Sequence, residues 1–563
     1  MSHFARCWLR FVSVLAIVTL LLPVVVAGAA AQPGANVLRV QYPDFALTLD
    51  PQKSGNVFEI GVLALAYEGL TRLDTNQETV PAAAESWEYN DDATQITFKL
   101  REGLTYSDGS PLTAENFRYA VERTCDPITA GSYQSILFGI VGCAELAGLG
   151  ADADGNARKW TEEEYAAAKA ALGVRTPDDR TLQIDLAHPA SYFHTIAYTW
   201  VFYPAKQEIV AADPEGWWQS AENHVGNGPF TIAGIEEGET YSFAANEHYW
   251  QGRPKLDGIE YHTFADSVAA LDAYRAGDVD IIGVDLDIAA QIRADPALAA
   301  ELLTYPQAGT FYLAMSLNQE PFTDKKVREA FAYAFDRATF CAETQSDTCE
   351  PALSWIPPGV PGHLETDAFA FDPAAAREAL AASSYGGPEN LPEITLTYFG
   401  DPSGAEPVPD DVQWIVDQYQ DQLGVELRLE PADGGDIFAR TLDAATYPQL
   451  LMFNAWFQDY PDPQNWLSVV WTCDSTFAQA AGYCNAEFDR LTKRGDTTVD
   501  AVARLEAYEQ AERILIDDVP GVFVFNPAGL SLIKPTVTGI TPTPVEAVWP
   551  GSLSSLLTID KTG

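Results

Sequence analysis

Basic residues are scarce in this sequence of 563 residues. The chain has 33 lysines and arginines against 80 aspartates and glutamates, and its formal net charge is -47. A protein with this charge repels nucleic-acid phosphates and anionic lipid, so the composition argues against a nucleic-acid partner. The same charge favours solubility, and adaptation to a saline habitat is a hypothesis that the composition leaves open.

Familiar catalytic and metal-binding motifs are also absent. The chain has no Gly-x-Ser-x-Gly, no His-Glu-x-x-His and no Gly-x-x-x-x-Gly-Lys, and its histidines show no metal-ligand spacing. We therefore predict no enzyme activity, no catalytic residue, no cofactor and no metal site. A secreted hydrolase stays open as a remote alternative, because 80 carboxylates include many accidental acidic pairs.

Long hydrophobic runs are missing beyond the N-terminus. Two arginines precede an apolar run at 11–26, and alanines at 29–31 offer a cleavage site, so residues 1–31 are predicted to be a signal peptide. Retention as a membrane anchor stays open, because residues 11–31 are about long enough to span a bilayer. Ala29 stands where a bacterial lipobox has its cysteine, so we expect an exported protein, periplasmic or at the cell surface, without a lipid anchor.

Cysteine is the next sparse residue type, and its spacing is informative. Cys7 falls in the predicted signal, and the other six cysteines lie in near pairs. An even number in close pairs predicts three local disulfides and an oxidising compartment. Metal binding is the alternative, and the absence of Cys-x-x-Cys argues against zinc. The predicted pairs are Cys125 with Cys143, Cys341 with Cys349, and Cys473 with Cys484.

Strand and helix patterns alternate along the chain, which is typical of an α/β protein. Residues 37–42 and 95–100 alternate like strands, whereas residues 500–517 have helical periodicity. The apolar run at 450–453 predicts a buried strand, which leads into the stretch WFQDYPDPQNW at 456–466. Rings, a carboxylate and two prolines at the end of a buried strand indicate either a ligand site or a rigid turn.

Several segments together resemble one family, the family-5 extracellular solute-binding proteins of bacterial ABC importers. They occur in the family's order over nearly the whole chain after the signal. The segments are LDPQ at 49–52, YEGL at 67–70, AESW at 84–87, YSDGSPLTA at 106–114, GNGPF at 226–230, NEHYW at 246–250, LN at 317–318 and KVREAF at 326–331.

The resemblance implies a two-lobed periplasmic-binding-protein fold of the α/β class, type II and cluster C-like. The first lobe is expected to carry an extra domain, and the C-terminal segment is expected to return to the first lobe. The implied limits are 32–74, 199–304 and 519–563 for the main domain of the first lobe, 75–198 for the extra domain, and 305–518 for the second lobe.

The resemblance also implies ligand-binding residues. In peptide-binding members, the aspartate of a Trp-x-x-Asp-Tyr context pairs with the α-ammonium group, and Trp456, Asp459 and Tyr460 match that context. A carboxylate in a half-dry cleft suits a cationic group, because a ligand ammonium supplies charge-assisted hydrogen bonds. The alternative is that Asp459 caps a turn and the rings belong to the core.

Three further residues are weaker candidates for ligand binding. Phe45 and Tyr67 lie in segments that approach the cleft in relatives, and Asn318 follows a predicted strand near the lobe boundary. For the two rings, a place in the core is the more common alternative. Asn318 could equally bond the ligand or cap a turn.

The expected function is capture of a peptide, or of a similar solute with an amino group, by hinge closure. The expected partners are the solute and the ABC permease subunits in the membrane, and the protein is expected to act as a monomer. Binding of an oligosaccharide or a metal chelate stays open as an alternative within the same family.

Overall fold

The computed structural model describes residues 36–150, 159–346, 348–546 and 548–562. The predicted signal peptide, with Cys7, lies outside the described residues. Within the described ranges, no helix has the length and apolar character needed to cross a bilayer.

The strands of the described chain are mostly short, and their bounds are as follows. They are β1 (Val37–Tyr42), β2 (Thr71–Leu73), β3 (Thr79–Pro81), β4 (Ala84–Tyr89), β5 (Gln95–Leu100), β6 (Val174–Asp178), β7 (Thr181–Asp185), β8 (Phe230–Glu236), β9 (Thr240–Ala245), β10 (Gly258–Thr263), β11 (Ile281–Gly283), β12 (Leu302–Pro306), β13 (Gly309–Met315), β14 (Cys349–Pro351), β15 (Ile394–Phe399), β16 (Leu427–Ala432), β17 (Leu450–Phe457), β18 (Gly521–Ile533), β19 (Val537–Thr538) and β20 (Asp560–Lys561).

The α-helices of the same ranges lie between these strands, singly or several in a row. They are α1 (Val57–Ala66), α2 (Ala114–Cys125), α3 (Cys143–Ala147), α4 (Glu162–Ala170), α5 (Gln207–Ala212), α6 (Ser267–Ala276), α7 (Leu286–Ala294), α8 (Pro296–Ala299), α9 (Lys325–Ala334), α10 (Arg337–Thr344), α11 (Pro373–Ala382), α12 (Asp410–Leu423), α13 (Gly434–Arg440), α14 (Pro463–Trp466), α15 (Ser468–Trp471), α16 (Thr476–Ala481), α17 (Ala486–Thr497) and α18 (Ala501–Asp518).

One large mixed sheet runs through the molecule, and its two halves belong to two different lobes. The first lobe contains β11, β1, β10, β9 and β8 in spatial order, and the second lobe contains β16, β15, β17 and β13. Neighbours β1 and β10 are parallel, as are β15 and β16, whereas β13 and β17 are antiparallel. The predicted two-lobed α/β fold is therefore confirmed.

Strand β18 connects the two lobes because its two halves pair with different partners. Its first part, up to Pro527, pairs with β13 and β14 of the second lobe. From Ala528 onward it pairs with β12 and β11 of the first lobe. The neighbouring segment from β12 to β13 crosses between the lobes in the opposite direction, at residues 306–309. Two adjacent antiparallel segments therefore join the lobes.

A separate four-stranded antiparallel sheet, in the order β4-β5-β7-β6, lies on the first lobe. Helix α2 packs against it, and the sheet shares the large first-lobe core with β1 and β10. This sheet lies within the predicted extra domain, and the limits of that domain and of the lobes stay predictions.

The structure contains the three disulfides that the cysteine spacing predicts. They join Cys125 to Cys143, Cys341 to Cys349, and Cys473 to Cys484, across 18, 8 and 11 residues respectively. The first lies in the predicted extra domain, where it ties α2 to α3. The other two lie in the second lobe, so both lobes carry local covalent constraints on the unfolded chain.

Candidate ligand-binding site

A cavity of about 760 Å³ lies between the two lobes. From the first lobe it is lined by one side of α1, by β2 and by residues within 544–546 and 553–558. From the second lobe it is lined by the end of β17 and the residues that follow, Trp456 to Asp459. The crossing segment contributes Gln307 and Ala308. A space of this size, bounded by both lobes and by their connection, is typical of a small-molecule site.

Aromatic side chains form much of the cavity wall. Such rings give large apolar contact area at a low cost in side-chain entropy. Those that line the cavity are Tyr67, Tyr133, Tyr198, Trp200, Tyr203, Tyr249, Trp456 and Phe457.

Strand β17 carries Asp459 to the cavity. Phe457 is the last residue of the strand and pairs with Gly309 of β13, and the backbone N–H of Gln458 donates to the carbonyl of Ala308 at 3.0 Å. The ladder therefore extends one residue beyond the strand and fixes the backbone next to Asp459. The predicted buried strand at 450–453 is confirmed as the first half of β17.

Asp459 is a half-buried carboxylate with few donors. Its Oδ2 accepts from the Asn465 side-chain amide at 2.9 Å, and its Oδ1 accepts only a long bond of 3.4 Å from the Tyr133 hydroxyl. Among the described residues, no lysine, arginine or histidine forms an ion pair with it. Loss of hydration in the cavity raises the pKa of Asp459 to about 6, against the lowering effect of the two hydrogen bonds.

Asn465 holds the acid and the neighbouring ring in place. It is fully buried on α14, and its Oδ1 accepts from the backbone N–H of Asp459 at 3.0 Å and from Trp456 Nε1 at 3.3 Å. Asp462 caps α14 by accepting from the backbone N–H of Gln464 at 2.9 Å. The second half of the predicted turn is therefore a short capped helix, which presents Asn465 to the Asp459 side chain.

Two other carboxyl groups line the cavity, and protein donors already satisfy them. Glu68 accepts from Tyr249 Oη and Trp250 Nε1, both at 2.6 Å, and burial raises its pKa. Glu546 accepts from the Thr543 hydroxyl at 2.8 Å and from the backbone N–H groups of Thr543 and Leu553, and burial raises its pKa to about 7. Asp459 is therefore the carboxylate with the most unused acceptor capacity.

The structure brings three of the six predicted ligand-binding residues to the cavity. Asp459 and Trp456 lie on one wall and Tyr67 on another. Tyr67 is only 1% exposed and packs in the first-lobe core, and its hydroxyl hydrogen-bonds to His224 Nδ1 at 3.2 Å. The place of Asp459 and Trp456 agrees with a ligand role, and that role stays a prediction.

The other three predicted residues lie away from the cavity. Tyr460 is 2% exposed and packs into the first-lobe core. Phe45 stacks on Tyr241 with ring centroids 4.2 Å apart. Asn318 lies against Gly482, at the end of α16 in the second lobe. Each of these side chains has a packing partner in the fold.

Sequence reasoning missed several residues of the site. Tyr133 and Tyr198 come from the first lobe, and the Tyr198 hydroxyl donates to the backbone carbonyl of Asp459. Asn465, Gln458 and Glu546 were also not predicted. The one local signal was the spacing of Asn465 from Asp459, six residues apart across a proline-rich turn.

The lobes also touch beyond the cavity. The Arg504 guanidinium, which pairs with Asp462, lies 4.9 Å from the ring centroid of Tyr192 in the first lobe. Nearby, the Ser191 hydroxyl contacts the carbonyl of Thr498 at 3.4 Å. These contacts and the bonds to Asp459 describe a conformation in which both lobes enclose the cavity.

Within the ranges that the structure describes, no group of three or more His, Cys, Asp or Glu side chains is placed to hold a metal ion.

Comparison with known proteins agrees with this architecture. The family model "Bacterial extracellular solute-binding proteins, family 5 Middle" matches residues 78–478. The dipeptide-binding protein DppE of Bacillus subtilis is 26% identical over 531 residues, which cover 92% of this chain and 91% of that protein. The probable deoxycholate-binding periplasmic protein YgiS of Escherichia coli is 28% identical over 508 residues, covering 87% of this chain and 88% of that protein.

Solved structures share the same fold. The murein tripeptide binding protein MppA of Escherichia coli superposes with a TM-score of 0.74 at 24% identity, covering 94% of this chain and 99% of that chain. The fold and its interlobe cavity define a two-lobed binding protein. The chain belongs to the bacterial extracellular solute-binding proteins of family 5, because the family model covers well over half of its length. The relatives named here are binding proteins rather than enzymes.

Proposed function

We propose that the protein captures a peptide, or another solute with a free amino group, in the interlobe cavity and delivers it to an ABC permease. Export to the periplasm or the cell surface precedes capture. The ammonium group of the solute pairs with Asp459, and the aromatic walls cover its apolar parts. The protein acts as a monomer and needs no cofactor for the binding step.

The observation that carries this proposal is the Asp459 carboxylate, which has no basic partner among the described residues. A carboxylate held away from water is costly unless a cation or several donors meet it. The two bonds to Asp459 Oδ atoms leave room for a further donor, and a protonated amine supplies both charge and up to three N–H groups.

The ligands for which relatives are named support a peptide as the ligand of this chain. The names of DppE and MppA specify a dipeptide and a murein tripeptide, and an oligopeptide-binding protein of Haemophilus influenzae has been solved in complex with RPPGFSPFR. YgiS is named for deoxycholate, which is an anion. Asp459 lines the cavity of this chain without a basic partner, so the site favours an amine over an anion.

Closure of the lobes is the proposed mechanism. The crossing segments at 306–309 and near Pro527 are the only backbone links between the lobes that the described sheet pairings show, so rotation about them opens the cavity. A ligand that contacts both walls favours the closed conformation over the open one. Tyr133 and Tyr198 reach Asp459 from the opposite lobe, so the ammonium site is complete only when the lobes are closed.

Native mass spectrometry tests this proposal. The protein is purified from its native host, and any bound molecule is identified by its mass and fragmentation. A synthetic library of di- to pentapeptides is then offered to the protein stripped of ligand. We expect amine-bearing molecules in the first experiment and peptide complexes in the second. Recovery of an oligosaccharide or a metal chelate, with no binding from the peptide library, contradicts the proposal.

Peptide affinity is expected to depend on pH through Asp459. Its pKa of about 6 in the closed, ligand-free conformation means that the carboxylate predominates there only above that pH. Because the ammonium pairs with the ionised form, affinity is expected to fall roughly tenfold between pH 7 and pH 5. Affinity also falls above about pH 8, where the peptide α-amino group loses its proton. Calorimetric titration across this range measures both the fall in affinity at low pH and the fall at high pH.

The matched control for this pH dependence is Asp459→Asn. Glu68 and Glu546 also line the cavity and have raised pKa values, so their titration persists in the variant. We expect the fall in peptide affinity at low pH to disappear in Asp459→Asn. If affinity falls equally at low pH in the variant and in the parent, the pH dependence belongs to another group.

A further inference from the structure

The start of α1 presents apolar side chains to the interlobe cavity. Val57 is 44% exposed and Ile60 is half-buried, although both side chains are large and apolar. They lie three residues apart, so they share one face of the helix, and both line the cavity. Phe58, on another face, packs on Tyr42 with ring centroids 6.5 Å apart. The cavity side of α1 therefore keeps apolar surface that the fold does not fully cover.

Two leucines of the C-terminal segment extend this apolar surface. Leu553 and Leu557 line the same cavity, and both are half-buried. The backbone N–H of Leu553 donates to the Glu546 carboxylate at 3.2 Å, and this bond helps to fix the segment. The segment also touches α1, since a Cβ built on Gly61 would lie 2.5 Å from Cγ2 of Val548. The aliphatic wall is the name used below for Val57, Ile60, Leu553 and Leu557.

The aliphatic wall begins beside the proposed ammonium site. Gly55, two residues before Val57, lies against the ring of Tyr133, because a Cβ built on Gly55 would be 3.4 Å from a carbon of that ring. The Tyr133 hydroxyl in turn bonds to Oδ1 of Asp459 at 3.4 Å. A ligand whose ammonium pairs with Asp459 therefore has the start of α1 close to its first residues.

A capping box holds the start of α1 in place. Oδ1 of Asn56 accepts from the backbone N–H groups of Phe58 and Glu59, both at 3.0 Å, and the Glu59 carboxylate accepts from the backbone N–H of Asn56 at 3.3 Å. The polar groups of this turn thus have partners within the turn. What the turn offers to a ligand is apolar contact on a preformed surface, and a preformed surface lowers the entropic cost of binding.

We propose that the aliphatic wall binds a bulky apolar side chain near the amino terminus of the peptide, and that the protein prefers peptides with such a residue. This inference rests on the proposed function. An apolar side chain and the wall remove each other's surface from water, which favours binding. A polar side chain in the same place loses its bonds to water without replacing them, which opposes binding.

The test starts from the tightest-binding peptide of the synthetic library. Each of its first three positions is made leucine or serine in turn, and calorimetry measures the affinity at several temperatures. We expect the parent protein to prefer leucine over serine by about tenfold at one or more of these positions. We also expect the preferred leucine peptide to bind with the more negative heat-capacity change. Equal affinity for leucine and serine at all three positions overturns the inference.

Substitutions in the aliphatic wall show whether it causes the preference. In Val57→Ser and in Leu557→Gln, we expect the preference for leucine to fall to about threefold or less, because each variant has less apolar surface on the wall. The affinity for the matching serine peptide is expected to change less than about twofold. A general structural fault weakens both peptides, so this difference separates recognition from a loss of fold.

Val268→Ser is the matched control for Val57→Ser. Val268 is a 53% exposed valine in the first turn of α6, which is also a capped helix of the first lobe, and it lies outside the cavity lining. We expect this variant to keep both the affinity and the preference of the parent protein.

The possible outcomes distinguish the two proposals. If the parent protein binds no library peptide, the proposed function and this inference both fail. If Asp459→Asn weakens binding but the parent shows no preference for leucine, only the role of the aliphatic wall is overturned. The same holds if the full preference persists in the double variant of Val57→Ser with Leu557→Gln, or if it falls equally in Val268→Ser.

Discussion

Asp459→Asn is expected to weaken binding of a peptide with a free amino terminus by roughly 30-fold to several thousand-fold, or about 2–5 kcal/mol. Asparagine keeps the shape of the side chain and one carbonyl oxygen for the Asn465 amide. It removes the charge that pairs with the ammonium and places an N–H₂ group where the carboxylate accepted bonds. Calorimetric titration near pH 7, where Asp459 is ionised, measures the loss.

Asp443→Asn is the matched control for that substitution. Asp443 is an exposed turn residue of the second lobe, and its carboxylate accepts from the backbone N–H of Ala445 at 2.9 Å. Asparagine preserves this turn bond, so affinity is expected to stay at the parent value. If Asp459→Asn also binds the peptide at the parent affinity, Asp459 is not the ammonium partner.

Arg504→Met is expected to lower the free energy of unfolding of the second lobe by about 3–5 kcal/mol. Arg504 and Asp462 are 7% and 5% exposed, and the guanidinium bonds to both carboxylate oxygens. Methionine leaves the Asp462 charge buried without its partner, and this is the costly case for an ion pair. Urea unfolding followed by tryptophan fluorescence measures the change.

Two further variants show whether the lost ion pair is the cause. Asp462→Asn combined with Arg504→Met removes both charges and keeps a residue that can cap α14, so most of the stability is expected to return. Arg490→Met breaks an exposed pair with Glu487 and is expected to cost less than about 1 kcal/mol. A loss in Arg504→Met no larger than that in Arg490→Met would show that the buried pair contributes little.

Arg504 also connects the stability of the second lobe to the closure of the two lobes. Its guanidinium lies against Tyr192 of the first lobe as well as Tyr508 of its own helix. A cation close to an aromatic face is attracted to the ring, and this contact exists only when the lobes are close together. Arg504 therefore stabilises the second lobe and contributes to the closed conformation.

The α/β class and the disulfides could be predicted from local signals, whereas the place of Asp459 at the cavity was implied by the family resemblance. The cysteines lie 8 to 18 residues apart, and the stretch that carries Asp459 follows a buried strand directly. The family resemblance added the expectation of two lobes, which no local periodicity contains.

The missing residues of the site come from distant parts of the chain. Tyr133 is 326 residues from Asp459 and Tyr198 is 261 residues away, so their contact depends on how the lobes meet. These facts are properties of packing, and a pattern in one segment cannot contain them.

Two predicted aromatic residues illustrate the opposite case. Tyr460 and Phe45 lie in segments that the family resemblance placed near the cleft, yet their rings pack in the first-lobe core. An aromatic ring gains more from close packing than from partial exposure. The chain segment can therefore approach a cleft while its ring points into the core, and only the structure distinguishes the two arrangements.

The most direct test of the central claim compares one peptide with a free amino terminus against the same peptide acetylated at that terminus. Acetylation removes the charge and leaves the rest of the peptide unchanged, and calorimetry on the parent and on Asp459→Asn completes the comparison. The account predicts that the parent loses most of its affinity on acetylation and that Asp459→Asn binds both peptides with similar weakness. Equal binding of both peptides by the parent protein would contradict it.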